Sequence, residues 1–197
     1  MALAYQPFGL KPVYHSSGLD RAVAYTGALD SAATLYQFSP VAINAGLLTN
    51  DQATGAAAGT TFGVFDGIEY TDATGRRAVS KWYSSALGTI TDTVAWVWID
   101  PETVYEIQAD GPVNATGIGR EFDFVNPAAG QIIGNGGLGQ STAAISSSGP
   151  VAAGTQGKVV VVGLGRQVGN TWGQSYTVVQ VKLAEQRTTA PVPSANA

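Results

Sequence analysis

Cysteine is absent from the 197 residues. That excludes a disulfide, a thiolate nucleophile and a sulfur-ligated metal, and it removes redox chemistry as a guide to compartment. Histidine occurs once, as His15, so a histidine-rich metal site is excluded within one chain. A Ser/His/Asp triad would have to use that residue as its base. Charge is scarce too: Asp, Glu, Lys and Arg make up 12% of the chain, about half the usual share. The ten basic residues stand singly or in pairs such as Arg76-Arg77, and the net charge is −4. No basic stripe is available to neutralise phosphates, which argues against nucleic acid as a direct partner. No apolar run approaches the length of a membrane span, and the opening MALAYQPFGLKP lacks the charged start and apolar stretch of a signal peptide. The expectation is a soluble chain with no membrane partner.

What the sequence does contain is apolar and small. Hydrophobic residues form 45% of it and there are 25 glycines. The length suits one domain that buries roughly 70% of the surface its unfolded chain exposes. The patterning has a period of two. In YTVVQVKLAE (176–185), Thr177, Val179, Val181 and Leu183 fall on one side, with Gln180 and Lys182 on the other. VYEIQAD (104–110) alternates likewise and ends in the turn signal Asp110-Gly111-Pro112. VAWVWID (94–100) is apolar on both faces and reads as a central strand, with Trp96 and Trp98 sharing a core-facing side. Weaker strands are expected at 34–38, 61–70 with a kink at Asp66-Gly67, 78–83 and 121–125. No window carries a capped helical stripe.

The fold class is therefore all-β: an antiparallel sandwich or barrel, a jelly roll being one option, with long Gly/Ala/Ser-rich loops and an extended N-terminal arm. The loops are 50–61 and 126–157, the second long enough either to contact something or to hold short strands. The organisation expected is an arm over 1–20, a single β domain over 21–186 and an extended tail over 187–197.

The residues invite three chemical readings. KVVVVGLGRQVGN (158–170) resembles a strand entering a nucleotide-binding turn, but Val168 stands at the third glycine position and a second alternating strand follows where a helix is needed. An antiparallel hairpin explains the same residues. Carboxylates gather as Asp66, Glu69 and Asp72, and as Asp100 and Glu102, without the spacing of a calcium loop; solvated turns are the simpler reading. Together with His15, flanked by Ser16 and Ser17, the Asp66/Glu69 pair leaves a hydrolase as the third choice. Trp82, Tyr83, Trp96, Trp98, Trp172 and Tyr176 offer a sugar-stacking platform, so a β-sandwich carbohydrate-binding module is the second. No catalytic, cofactor-binding or metal residues are assigned and no cofactor is expected.

Four segments carry a resemblance: FGLKPVYHSSG (8–18), GVFDGIEY (63–70), WIDPETVYEIQADG (98–111) and the closing VVVVGLGRQVGN with YTVVQVKLAEQ. In patches over about residues 8 to 185 the chain resembles the small tailed-bacteriophage proteins that decorate or cement the capsid exterior. The resemblance implies a non-enzymatic virion protein on the outside of the capsid. Its partner would be the major capsid protein, bound as a dimer or trimer of this chain. The arm provides the contact candidates Tyr5, Phe8, Leu10, Lys11, Pro12, Val13 and Tyr14, since its two prolines favour extended backbone suited to lying along a neighbour. The competing expectation is that the arm forms the first strand of its own body.

Overall fold

The computed structural model describes residues 3–18, 21–51, 61–130, 138–152, 155–184 and 186. Among these, the chain forms β1 (Lys11–Tyr14), β2 (Val23–Tyr25), β3 (Leu35–Tyr36), β4 (Pro40–Asn44), β5 (Leu47–Asn50), β6 (Thr61–Thr71), β7 (Arg77–Ser80), β8 (Trp82–Tyr83) and β9 (Thr91–Trp98). They are followed by β10 (Val104–Gln108), β11 (Glu121–Phe122), β12 (Phe124–Val125), β13 (Ala144–Ile145), β14 (Val159–Leu164) and β15 (Val178–Leu183). The only helical pieces described are two three-residue 3-10 turns. The fold is all-β, as the period-two patterning predicts.

Two antiparallel sheets dominate. The first runs β1-β10-β15-β14-β11 and the second β2-β9-β6-β4-β5, with β7 also paired to β6. Two-stranded pairs β3-β8 and β12-β13 complete the set. The expected hairpin is present: β14 pairs antiparallel with β15, with a register shift between Val161 and Gly163. Its connection is organised by Asn170, whose Nδ2 donates to the carbonyls of Gly165 (2.9 Å) and Val178 (2.7 Å). Asn170 Oδ1 accepts from the Val178 N–H (3.1 Å) and from Gln174 Nε2 (2.8 Å). The expected kink at Asp66-Gly67 is a bulge inside a continuous β6, with the register to β9 shifting between Phe65 and Gly67.

Alternation along β6 and β9 creates two cores. Val64 and Trp98 face the first sheet and join a cluster of Leu10, Tyr105, Ile107, Phe122, Phe124, Ile145, Val159, Val161, Val179, Val181 and Leu183. Their neighbours Phe65 and Val97, with Ile68 and Ala95, face the other way and pack with Leu35, Val41, Leu48 and Tyr83. VAWVWID is thus a central strand with both faces in use. The fully buried side is Ala95 and Val97, however, whereas Trp98 is partly buried against the first core and Trp96 is half-buried.

Two features depart from the reading of the sequence. All five residues of β10 are buried, so its polar side does not face water. Gln108 is covered by the arm, accepting from the Gln6 N–H (2.7 Å) and donating to the Ala4 carbonyl (2.9 Å). Glu106 accepts from the Arg166 N–H (3.0 Å). The second feature is the β4-β5 hairpin, which turns through Ala45 and Gly46 at φ 48° and 83°. Two positive φ angles in a two-residue loop suit a twisted hairpin, but alanine at the first position carries no turn signal.

The long loop from 126 to 157 does hold a short strand, β13, paired with β12. Most of the 50–61 segment and the 187–197 tail lie outside the described residues.

Candidate functional site

The arm is part of the body. β1 is the edge strand of the first sheet, paired with β10 from Lys11↔Glu106 to Tyr14↔Val104 with a register shift before Tyr14. Just before it, Gly9 donates its N–H to the Ala143 carbonyl (3.2 Å) and Leu10 donates to the Phe38 carbonyl (2.8 Å). Gln140 Nε2 donates to the Phe8 carbonyl (3.2 Å). Gly9 has φ 75°, and a Cβ there would come within 2.4 Å of the Phe38 carbonyl oxygen. Only glycine fits this crossing. Phe38 itself sits at φ 68°, a costly conformation for a bulky residue. It is held there by the bond from Leu10 and by donating its own N–H to the Phe65 carbonyl (2.7 Å).

The seven contact candidates therefore separate. Leu10 is fully buried in the first core and offers its side chain to no partner. Tyr5 and Phe8 line a cavity of about 510 Å³ with Leu138 and Gln140. Tyr5 also packs on Tyr176, ring centroids 5.1 Å apart, and burial, with the nearby Asp110 and Tyr176 adding, raises its pKa. Pro12, Val13 and Tyr14 line a second cavity of about 480 Å³ with His15, Phe38, Asp66 and Trp98. The Trp98 indole Nε1 is buried without a hydrogen-bond partner. Lys11 is exposed, Val13 is 40% exposed and Tyr14 60%. β1 thus presents an open sheet edge with two solvent-facing apolar side chains beside a cavity walled by aromatic rings.

The candidate carboxylates do not converge. Asp66 accepts from Gln37 Nε2 (3.2 Å) at the second cavity, Glu69 pairs with Arg77 (3.1 Å), and Asp72 closes the β6-β7 turn. Its Oδ1 accepts from the Thr74 hydroxyl (2.7 Å) and the Thr74 and Arg76 N–H groups, led by the hydroxyl in holding its pKa below the ordinary value. Glu102 pairs with Lys182 (2.7 Å).

Asp100 accepts the Glu102 N–H (2.8 Å) and lies 3.3 Å from His15 Nε2. The contact with His15 lacks good hydrogen-bond direction and is better described as electrostatic. His15 Nδ1 lies 2.7 Å from Ser17 Oγ and also receives the Ser17 N–H (3.2 Å). Ser17, His15 and Asp100 are consequently in line, but the backbone donor makes Nδ1 the acceptor of a local turn, closed by the Gly18 N–H on the His15 carbonyl (3.0 Å). Ser16 takes no described part. No group of three or more His, Asp or Glu residues capable of holding a metal occurs among the described residues.

The aromatic set is dispersed as well. Trp82 and Tyr83 are buried on β8, while Trp98 and Trp172 pack against the first core. A stacking platform built on Trp82 and Tyr83 would lack exposed ring faces. Sequence reasoning missed the cavity beside β1, the strained Phe38 and a buried ion pair between Lys158 and Asp51. Each arises from residues distant in the chain, and no local signal marks them. Comparison with family models, with curated proteins and with solved structures finds no match for this chain.

Proposed function

We propose that this chain is a structural protein of a tailed-phage virion. It binds the outer surface of the major capsid protein shell, as a dimer or trimer, and stabilises the head without catalysing a reaction. The observation that carries the reading is the open edge of β1, where Val13 and Tyr14 are exposed beside the cavity lined by Phe38 and Trp98. An extended segment of a partner can add to such an edge through main-chain hydrogen bonds and seat a side chain in the adjacent hollow. The motifs of residues 8–18 and 98–111, which carry the resemblance to decoration proteins, are β1 with its flanks and the strand it pairs with. A standard interface of about 1,600 Å² per copy, repeated over a shell, stiffens it through many modest contacts.

Removing the arm would test this poorly, because Leu10 belongs to the core. The Val13→Ser/Tyr14→Ser double variant alters the exposed edge alone and should cost stability only about 0.5 kcal/mol per site. Co-sedimentation with undecorated heads should fall at least tenfold relative to the unmodified chain. Binding that is undiminished, with folding intact, would remove the edge as the attachment surface.

A glycan-binding role is the second reading, favoured by the same hollow, in which Tyr14, Phe38 and Trp98 flank the Asp66 carboxylate. A glycan array signal abolished by Trp98→Phe would support it, since that change keeps a ring and removes the N–H.

A further inference from the structure

Lys158 immediately precedes β14 in the first sheet, and Asp51 immediately follows β5 in the second. Both side chains are 1% exposed, and Lys158 Nζ stands 3.6 Å from Asp51 Oδ2. The Thr61 hydroxyl donates to the same carboxylate oxygen and fixes its orientation. A third carboxyl, Asp123, lies between β11 and β12. Its Oδ1 is buried without a hydrogen-bond partner. Burial raises the Asp123 pKa, with the Lys158 charge opposing and the Glu121 charge reinforcing that rise. Glu121 is engaged elsewhere, accepting from the Gly157 N–H (2.7 Å) and Gln156 Nε2 (3.1 Å).

An ion pair in such a place is a poor use of two charges, because removing both from water cancels most of their attraction. An amine and a carboxyl held close together in a water-poor interior can instead condense, which eliminates both charges. Nζ stands 3.6 Å from an oxygen bonded to Asp51 Cγ, so a small side-chain adjustment brings the nitrogen onto the carboxyl carbon, and confinement supplies much of the orientation such a condensation requires. A carboxyl inclined to hold its proton beside the amine is the type of group that can carry a proton between nitrogen and leaving oxygen.

We propose that Lys158 and Asp51 form an intramolecular isopeptide bond, with Asp123 carrying the proton. A proton passes from the Lys158 ammonium to the Asp51 carboxylate, leaving a neutral amine and a neutral carboxyl. The Nζ lone pair attacks Asp51 Cγ and the C–N bond forms. Asp123, holding its proton, gives it to the departing hydroxyl while its other oxygen takes a proton from the nitrogen; the C–O bond breaks, the carbonyl re-forms and one water leaves. No atom changes oxidation state and no cofactor takes part. The product joins the two sheets covalently in a chain that has no cysteine with which to do so. The inference is independent of the head-binding role.

The test is the mass of the purified, folded full-length chain, followed by peptide mapping. The expected result is a mass lower by one water than the sequence requires, with a branched peptide joining the segments that contain residues 51 and 158. Lys158→Arg and Asp51→Ala should each restore the full mass and abolish the branched peptide. Asp123→Asn, a variant that keeps size and polarity, should slow conversion at least tenfold; conversion at the unmodified rate would remove Asp123 from the step. If the Lys158 or Asp51 variants fail to fold, the map of the unmodified chain decides alone. A folded chain with both peptides unbranched and full mass overturns the proposal.

Discussion

His15 Nε2 and Asp100 Oδ1 lie 3.3 Å apart, joining the residue after β1 to the turn between β9 and β10. The pair is part of what anchors the end of the exposed edge. Asp100 has a lowered pKa, chiefly because it accepts the Glu102 N–H, with the His15 contact and charge adding to the effect. A carboxylate whose folded pKa is depressed stabilises the fold above its unfolded value, 3.8 here, and loses that contribution as pH falls through the folded value. Asp100→Asn should therefore lower stability at neutral pH, by no more than about 1 kcal/mol for so exposed a group. Urea melts of the two proteins over a pH series should converge as pH falls well below 3.8; a gap that persists at the acid end would contradict the assignment.

Gly9→Ala should detach the arm. The added methyl meets the Phe38 carbonyl and the Ser141 side chain at a backbone angle that side chains avoid, so the crossing beside Leu10 must open. Hydrogen exchange should rise across residues 4–14 and limited proteolysis should reach them, with a stability loss of about 1–3 kcal/mol. Protection of 4–14 equal to that of the unmodified chain would show that the crossing tolerates a side chain.

Asn170→Ala removes four hydrogen bonds from the β14-β15 connection. Gly165 also donates its N–H to the Val178 carbonyl, so that acceptor keeps a partner, whereas the Val178 N–H loses its own. One buried donor left unsatisfied costs about 1–3 kcal/mol. The denaturation midpoint should shift accordingly with an unchanged slope, and Asn170→Asp should recover less than half of the loss, because it restores the acceptor and not the donors.

Much of the sheet structure was legible because its strands are polar on one side and apolar on the other. β15 is the clearest case: Val179, Val181 and Leu183 enter the first core while Gln180 and Lys182 do not. β10 alternates as cleanly, yet both its faces are buried, because the arm and the Arg166 backbone supply partners for Gln108 and Glu106 that a reading of local periodicity cannot include. The β4-β5 hairpin carries no local turn signal, since Ala45 occupies a left-handed position normally marked by Asn or Gly. At the candidate site, Val13 and Tyr14 are exposed because β1 is an edge strand of the first sheet, a placement that the extended pattern alone does not distinguish from an arm lying on a neighbour. Leu10 did not, because an apolar residue in an extended segment reads the same whether it meets its own core or a partner. Lys158 and Asp51 carry no local cue at all; the antiparallel wrapping of two sheets brings them together.

Because neighbouring residues of β6 and β9 point into different cores, neither cluster can come apart while the other keeps its wall. Loss of one should dissolve both in a single cooperative step. Fluorescence of the four tryptophans and far-ultraviolet circular dichroism should then trace superimposable melting curves. Two resolved transitions would mean that the halves hold together independently of the partition they share.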